Sequence, residues 1–196
     1  MNASSYFSIL ANKLPPIENQ ELFAELEQKC DVIILNKNEP LIKFQTKDRQ
    51  IYFVVEGSFI RNIITSRGEE KTIMFHTESF HEFFKSYDTV YFHQKTNYEI
   101  KANEKSIVLA FDFDFLFAFV QKDIQLLQYY IHKTEELFVT LDLFRNFQLG
   151  LTSEEYLSWL YETHPFLFKR FPAQNIASFM GITPVWLSKL KAKLIS

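Results

Sequence analysis

The sequence predicts an α+β chain in three parts: an antiparallel β-sandwich or barrel, one long helix, and an all-α helix-turn-helix. Three observations carry this. From Asp31 to Phe113, short runs rich in Ile, Val, Phe and Tyr alternate with polar turns. From Phe115 to Phe147 no Gly or Pro interrupts the chain. From Phe171 to Leu194, small, glycine and apolar positions fall in the register of two short packed helices.

Residues 18–29 (ENQELFAELEQK) read as a short amphipathic helix with Leu22, Phe23 and Leu26 on one face. The strand candidates follow as DVIIL, PLIKF, IYFVV, SFIRNII, KTIMF, VYFHQ, NYEIKA and SIVLAFDF. Gly57 and Gly68 sit between runs as hairpin turns, where glycine accepts a positive φ. Asp114 is the expected N-cap of the long helix. Within that helix Leu127, Tyr130, Thr134, Leu137, Leu141 and Phe144 follow a 3–4 spacing, the stripe of a helical dimer seam or of a helix packed on its own domain. A helix roughly 30 residues long exceeds the usual ~10–14, which favours the seam. Gly150 closes it, and Thr152-Ser153-Glu154-Glu155 is a capping box opening a helix to about Tyr161. The expected divisions are 1–113, 114–148 and 150–196.

The chain has 196 residues, 47% of them hydrophobic, which excludes a disordered protein. Its net charge is −3. Residues 150–196 carry +2, leaving −5 on the first 149, and no carboxylate occurs from Thr163 onward. An acidic body with a basic tail fits an anionic partner for the tail, though charge alone equally describes a solvated basic helix face, the commoner case. The lone Cys30 cannot form an internal disulfide or supply an iron–sulfur site. With no signal-peptide pattern in Met1 to Leu14 and no membrane-length apolar run, a cytoplasmic location is expected.

The C-terminal segment is the most informative. Pro172 suits the first turn of a helix running to Met180, and Gly181 supplies the corner. Thr183 caps a second helix whose first residue is Pro184. Ile176, Ala177, Met180, Ile182, Leu187 and Leu190 are the expected buried set. The exposed face then holds Val185, Trp186, Ser188, Lys189, Ala192 and Lys193. The start of such a helix reaches base edges, so Val185, Trp186 and Lys189 are candidate base contacts. Lys169, Arg170, Thr183, Ser188 and Lys193 are candidate phosphate contacts.

This order of parts resembles the Crp–Fnr family of bacterial transcription regulators. The resemblance rests on Tyr52-Phe53-Val54-Val55-Glu56-Gly57, on Thr77-Glu78-Ser79-Phe80-His81-Glu82, and above all on Phe171-Pro172, Ile176 to Thr183 and Leu187-Ser188-Lys189-Leu190. It implies a double-stranded, jelly-roll-like β-roll related to cyclic-nucleotide-binding domains, a homodimer joined through the long helix, and a palindromic double-stranded DNA operator. RNA polymerase is a further candidate partner, and an unidentified small molecule in the β-roll a candidate effector. No cofactor and no enzymatic activity are implied.

Departures from the family pattern matter. Phe80, His81, Glu82, Lys95 and Thr96 occupy the ligand cassette, but His81 stands where nucleotide-binding members have Gly, and Thr96 where they have Arg. No Arg occurs between Arg67 and Arg145, and Lys95 offers no bidentate fork. Cyclic AMP and cyclic GMP are therefore not expected ligands. Pro184-Val185 and Lys189 replace the family's usual reading residues, so a different operator is expected, and the chain to Ser196 leaves no room for a two-stranded wing. Two other readings remain. One is a dimeric protein-interaction module using Val185 and Trp186. The other is a cupin-like metalloenzyme using His76, His81, Glu82 and His93, which lacks the expected His-x-His pattern.

Overall fold

The computed structural model describes residues 3–17 and 19–195, so Glu18, the first residue of the expected 18–29 helix, lies outside it. Two helices open the chain, α1 (Ala3–Ala11) and α2 (Gln20–Gln28). Strands β1 (Asp31–Leu35), β2 (Pro40–Ile42), β3 (Gln50–Glu56), β4 (Ser58–Ile64), β5 (Glu70–Thr77) and β6 (Phe83–Lys85) follow. After α3 (Tyr87–Phe92) come β7 (Tyr98–Ala102) and β8 (Ser106–Asp112). The remainder is helical: α4 (Phe113–Val120), α5 (Ile124–Gly150), α6 (Ser153–Thr163), α7 (Phe166–Arg170), α8 (Ala173–Met180) and α9 (Pro184–Ile195). Among the described residues no helix is long and apolar enough to cross a membrane.

The strands form two four-stranded sheets, ordered β1-β8-β3-β6 and β2-β7-β4-β5. This is the expected antiparallel sandwich. Register explains the continuous apolar run of β3. Tyr52 lies opposite Phe84, while Ile51 and Phe53 lie opposite Lys85 and Phe83. Tyr52 and Phe84 face the sandwich interior, where Phe84 also meets Phe59 and His76. Ile51, Phe53 and Val55 turn the other way, with Leu109 and Phe111, onto Phe7 and Leu10 of α1, Leu26 of α2 and Phe119 of α4. Each such side chain contributes about 1.5–3 kcal/mol by leaving water. Gly57 turns the β3–β4 hairpin at φ 106°, and a Cβ there would stand 2.2 Å from Ser106 Oγ. Only glycine fits.

Three local expectations are corrected. VYFHQ (90–94) is not a strand: Val90 belongs to α3, where its N–H donates to the Ser86 carbonyl at 3.0 Å, and His93 ends the helix at φ 57°. Aromatic and β-branched residues fit either element, and the local hydrogen bonds decide. The strand in this region is instead β6. Second, Asp112 caps α4, its carboxylate accepting from Phe115 N at 2.9 Å, while Asp114 pairs with Arg49. Third, the long helix is interrupted at 121–123. The Asp123 carboxylate accepts from Gln125 N at 2.7 Å and Leu126 N at 3.1 Å, starting α5 afresh.

The chain divides into two compact units, 1–61 with 75–136 and 62–74 with 137–196. The first holds most of the sandwich and its covering helices. The second joins the outer part of the β4–β5 hairpin to the end of α5 and the C-terminal helices. In it α6 begins with the expected capping box, Thr152 and Glu155 exchanging hydrogen bonds at 2.9 and 3.3 Å.

The stripe expected as a dimer seam faces its own chain. Leu127 and Tyr130 pack on the α1–α2 core, Thr134 and Leu141 are half-buried, and Leu137 and Phe144 are only 5% and 4% exposed. Phe144 meets Trp159 and Phe179 at 5.9 and 5.1 Å between ring centres. The correction has a simple cause: α5 carries two apolar stripes. The exposed one holds Ile124, Ile131, Phe138, Val139 and Leu149.

Candidate nucleic-acid interface

The α8–α9 pair is built as its sequence dictates. α8 ends where Gly181 takes φ 73°, with Gly181 N donating to Ser178 O at 3.1 Å and Ile182 N to Ala177 O at 2.9 Å. Thr183 then caps α9, its Oγ1 accepting from Trp186 N at 3.1 Å. Leu187 and Leu190, each 1% exposed, lie inside with Ile176, Ala177 and Met180. Ile182 is half-buried rather than buried, and Phe171 and Phe179 complete the set.

The outward face carries every residue expected there. Val185 is 68% exposed and Trp186 44%, and Thr183, Ser188, Lys189, Ala192 and Lys193 are exposed. Lys193 Nζ lies 3.2 Å from the Glu154 carboxylate, but both groups are solvated, so the pair is weak and exchangeable. Lys169 is exposed and Arg170 half-buried, both in the last turn of α7. Lys191 is drawn off this face. It lies over the ring of Phe168 at 5.0 Å, and that ring stacks on Tyr161 at 3.8 Å. The face therefore presents cations, hydroxyls and two large apolar side chains, with no carboxylate of its own.

Two supports of this unit escaped the sequence reading. The first is an aromatic cluster of Phe144, Phe147, Trp159, His164 and Phe179, in which burial lowers the His164 pKa. The second is a polar anchor on the hairpin. Thr72 N donates to Ser178 Oγ at 3.0 Å, Asn175 Nδ2 donates to Thr72 Oγ1 at 3.1 Å, and Thr72 Oγ1 donates to Asn62 Oδ1 at 2.9 Å. No sequence spacing links Thr72 to Ser178, so only the fold reveals it.

The expected ligand cassette is only partly gathered. His81 keeps a left-handed backbone, φ 48°, but fills it with an imidazole whose ring lies 4.3 Å from that of the half-buried Phe80. Glu82 is buried, and its carboxylate is engaged by Lys133 Nζ at 3.2 Å. Thr96 is buried, its Oγ1 donating to Tyr98 O at 3.2 Å. Lys95 is exposed to solvent, so it is no part of an enclosed site. The cation inside the roll is one the sequence reading passed over: Arg61, which comes from β4 and stacks on Tyr98 at 3.6 Å. His76 is fully buried. Its Nδ1 donates to the His81 carbonyl at 2.9 Å, and burial depresses its pKa to about 3, so the ring is neutral. His93 is exposed, and among the described residues no group of three His, Cys, Asp or Glu could hold a metal ion.

No family model and no curated protein matches the chain. Solved structures do. FixK2 from Bradyrhizobium japonicum is similar with a TM-score of 0.71 at 16% identity, over 84% of both chains. A CooA mutant from Carboxydothermus hydrogenoformans gives 0.70 at 14% identity, over 92% of this chain and 85% of that one. The c-di-GMP-responsive global regulator CLP of Xanthomonas campestris gives 0.68 at 10% identity, over 90% and 91%. These neighbours are Crp–Fnr regulators, and their β-roll, long helix and helix-turn-helix stand in the order found here. The chain has the Crp–Fnr fold.

Proposed function

We propose that this protein is a dimeric DNA-binding transcriptional regulator of the Crp–Fnr type that reads its operator with α9. One observation carries this reading. A fully buried Leu187–Leu190 stripe holds outward a helix face bearing Val185, Trp186, Ser188 and Lys189 and free of carboxylates. Such a face fits the major groove by shape and a polyanion by charge. The parts divide the work as 1–113 for sensing, 114–148 for pairing and 150–196 for DNA. The operator is a palindrome, since a two-fold dimer places its two reading helices ~34 Å apart. RNA polymerase is the partner through which such a regulator acts.

The second copy covers the exposed stripe of α5. Ile124, Ile131 and Phe138 recur at seven-residue spacing, and Phe138 is 69% exposed. A coiled-coil seam needs this repeat. Phe138→Glu is expected to yield monomers in analytical ultracentrifugation with the fold retained.

Cyclic AMP and cyclic GMP are not its signals. The engagement of Glu82 by Lys133 and the imidazole at position 81 support this. The test of the main reading is a genomic selection with purified protein. Enrichment of a palindrome, with affinity falling steeply in salt, supports it. A dimer that enriches no sequence would instead favour a protein-interaction module, for which the exposed Val185 and Trp186 offer an apolar contact.

A further inference from the structure

Lysine is almost never fully buried unless it is paired. Lys85, the last residue of β6, is 3% exposed and makes no ion pair among the described residues. It shares the face of Ile51 and Phe53, the side of the sheet covered by helices and opposite to the sandwich interior. Its Nζ donates to Tyr130 Oη at 2.6 Å and to Tyr91 Oη at 3.0 Å. The rings of Tyr91, Phe113 and Tyr130 surround it at 4.9–5.0 Å. An ammonium has three donors, so one remains.

This cation lies at the wall of a cavity of about 70 Å³ whose other walls are mostly apolar, including Leu10, Leu26, Phe111, Leu116 and Phe119. A second lysine, Lys133, also reaches the cavity, but its charge is engaged by Glu82 and Glu136. Lys85 thus brings one unmatched positive charge to a small hydrocarbon-lined space. Burial lowers its pKa, and the Tyr91 phenol oxygen partly offsets this.

We propose that this cavity binds a small apolar carboxylate, with the carboxylate on Lys85 and Tyr130 and the hydrocarbon among the leucine and phenylalanine side chains. A carboxylate matches the single charge and accepts both the free ammonium hydrogen and a phenol hydrogen. A phosphate dianion would bring a second negative charge, and the second cation at the cavity, Lys133, is already engaged by Glu82 and Glu136. An alcohol of the same skeleton would fill the space and leave the cation unmatched. The site stands on geometry within one compact unit. It does not require the DNA-binding reading, and its test uses no DNA.

The probes are acetate and propionate against ethanol and 1-propanol, small enough for a space of about 70 Å³, measured by calorimetry on the full chain. The acids are expected to bind at least about tenfold more tightly than the alcohols, as charge-assisted hydrogen bonds require. In Lys85→Met, a near-isosteric neutral variant, that preference disappears while alcohol binding persists. Tyr130→Phe weakens the acids several-fold and leaves the alcohols unchanged, and it decides the matter if Lys85→Met fails to fold. Equal binding of acids and alcohols to the unaltered chain, a preference that survives in folded Lys85→Met or is undiminished in Tyr130→Phe, or no heat from either acid at about 10 mM would overturn the proposal.

Discussion

The α8–α9 pair and the segment from His76 to Thr96 place their polar groups in opposite directions. In the helix pair Leu187 and Leu190 go in, and Ser188, Lys189 and Lys193 go out. In the segment His76, His81, Glu82, Lys85, Ser86, Thr89 and Thr96 are all buried, while Tyr91 and Phe92 are 48% and 68% exposed. Outward polar groups keep their hydration until a partner replaces it. Inward ones have already lost theirs and must be matched by the fold or by a ligand. The first arrangement suits a macromolecular polyanion met at the surface, the second a small molecule enclosed in the body.

The largest expected effect breaks the helix pair from within. Leu187 has no exposed surface to spare, so Leu187→Ala should destabilise the chain by about 2–5 kcal/mol, through reduced burial and the cavity left behind. Denaturant unfolding monitored by Trp fluorescence would measure it, since Trp159 and Trp186 both lie in this unit. A loss near zero would mean that α9 does not depend on this stripe.

The buried segment is probed by pH. His76 is held neutral in the folded chain, with its pKa depressed by burial from 6.5 to about 3. The unfolded chain therefore binds the extra proton first as pH falls. Stability is intact above pH 6.5, declines below it, and levels off near pH 3. The loss is roughly 1.4 kcal/mol per pH unit, on the order of 2–3 kcal/mol at pH 4.5. His76→Phe should unfold with a flatter dependence between pH 6.5 and 4.5. Equal slopes in the two proteins would show that His76 is not the group that titrates.

These two regions also differ in what the sequence discloses. The Gly181 corner, the Thr183 cap and the Leu187–Leu190 stripe are local relations, and spacing alone reveals them. Fold class, strand alternation and the α6 capping box were legible for the same reason. β6 and α3 were not, because Phe83, Val90 and Tyr91 suit a strand or a helix equally and the outcome depends on pairing with β3. Lys85 offers no sequence signal, since its partners Tyr91 and Tyr130 are 6 and 45 residues away. The two stripes of α5 show the limit most clearly. Periodicity found one apolar face and could not tell that the body covers it, because Ile124, Ile131 and Phe138 form a second.

The smallest effect sharpens the outward face. Lys189 is exposed and touches nothing that holds the fold, so Lys189→Ala should leave stability within about 0.5 kcal/mol. On the proposed reading its effect falls on DNA binding, at about 1–3 kcal/mol if the ammonium reaches a base edge. The pattern of weakening distinguishes two roles. If Lys189 bonds a base, its removal relaxes preference at one operator position and spares the others. If it bonds a phosphate, its removal weakens all sequences alike and lowers the salt slope by about one. Binding of the enriched operator and its single-base variants by wild type and Lys189→Ala, at two salt concentrations, separates them. α9 places Lys189 one turn beyond Val185, within its first two turns, where a helix entering the groove meets bases. The position-specific effect is therefore the expected outcome, and a uniform weakening would move base reading onto Val185 and Trp186 alone.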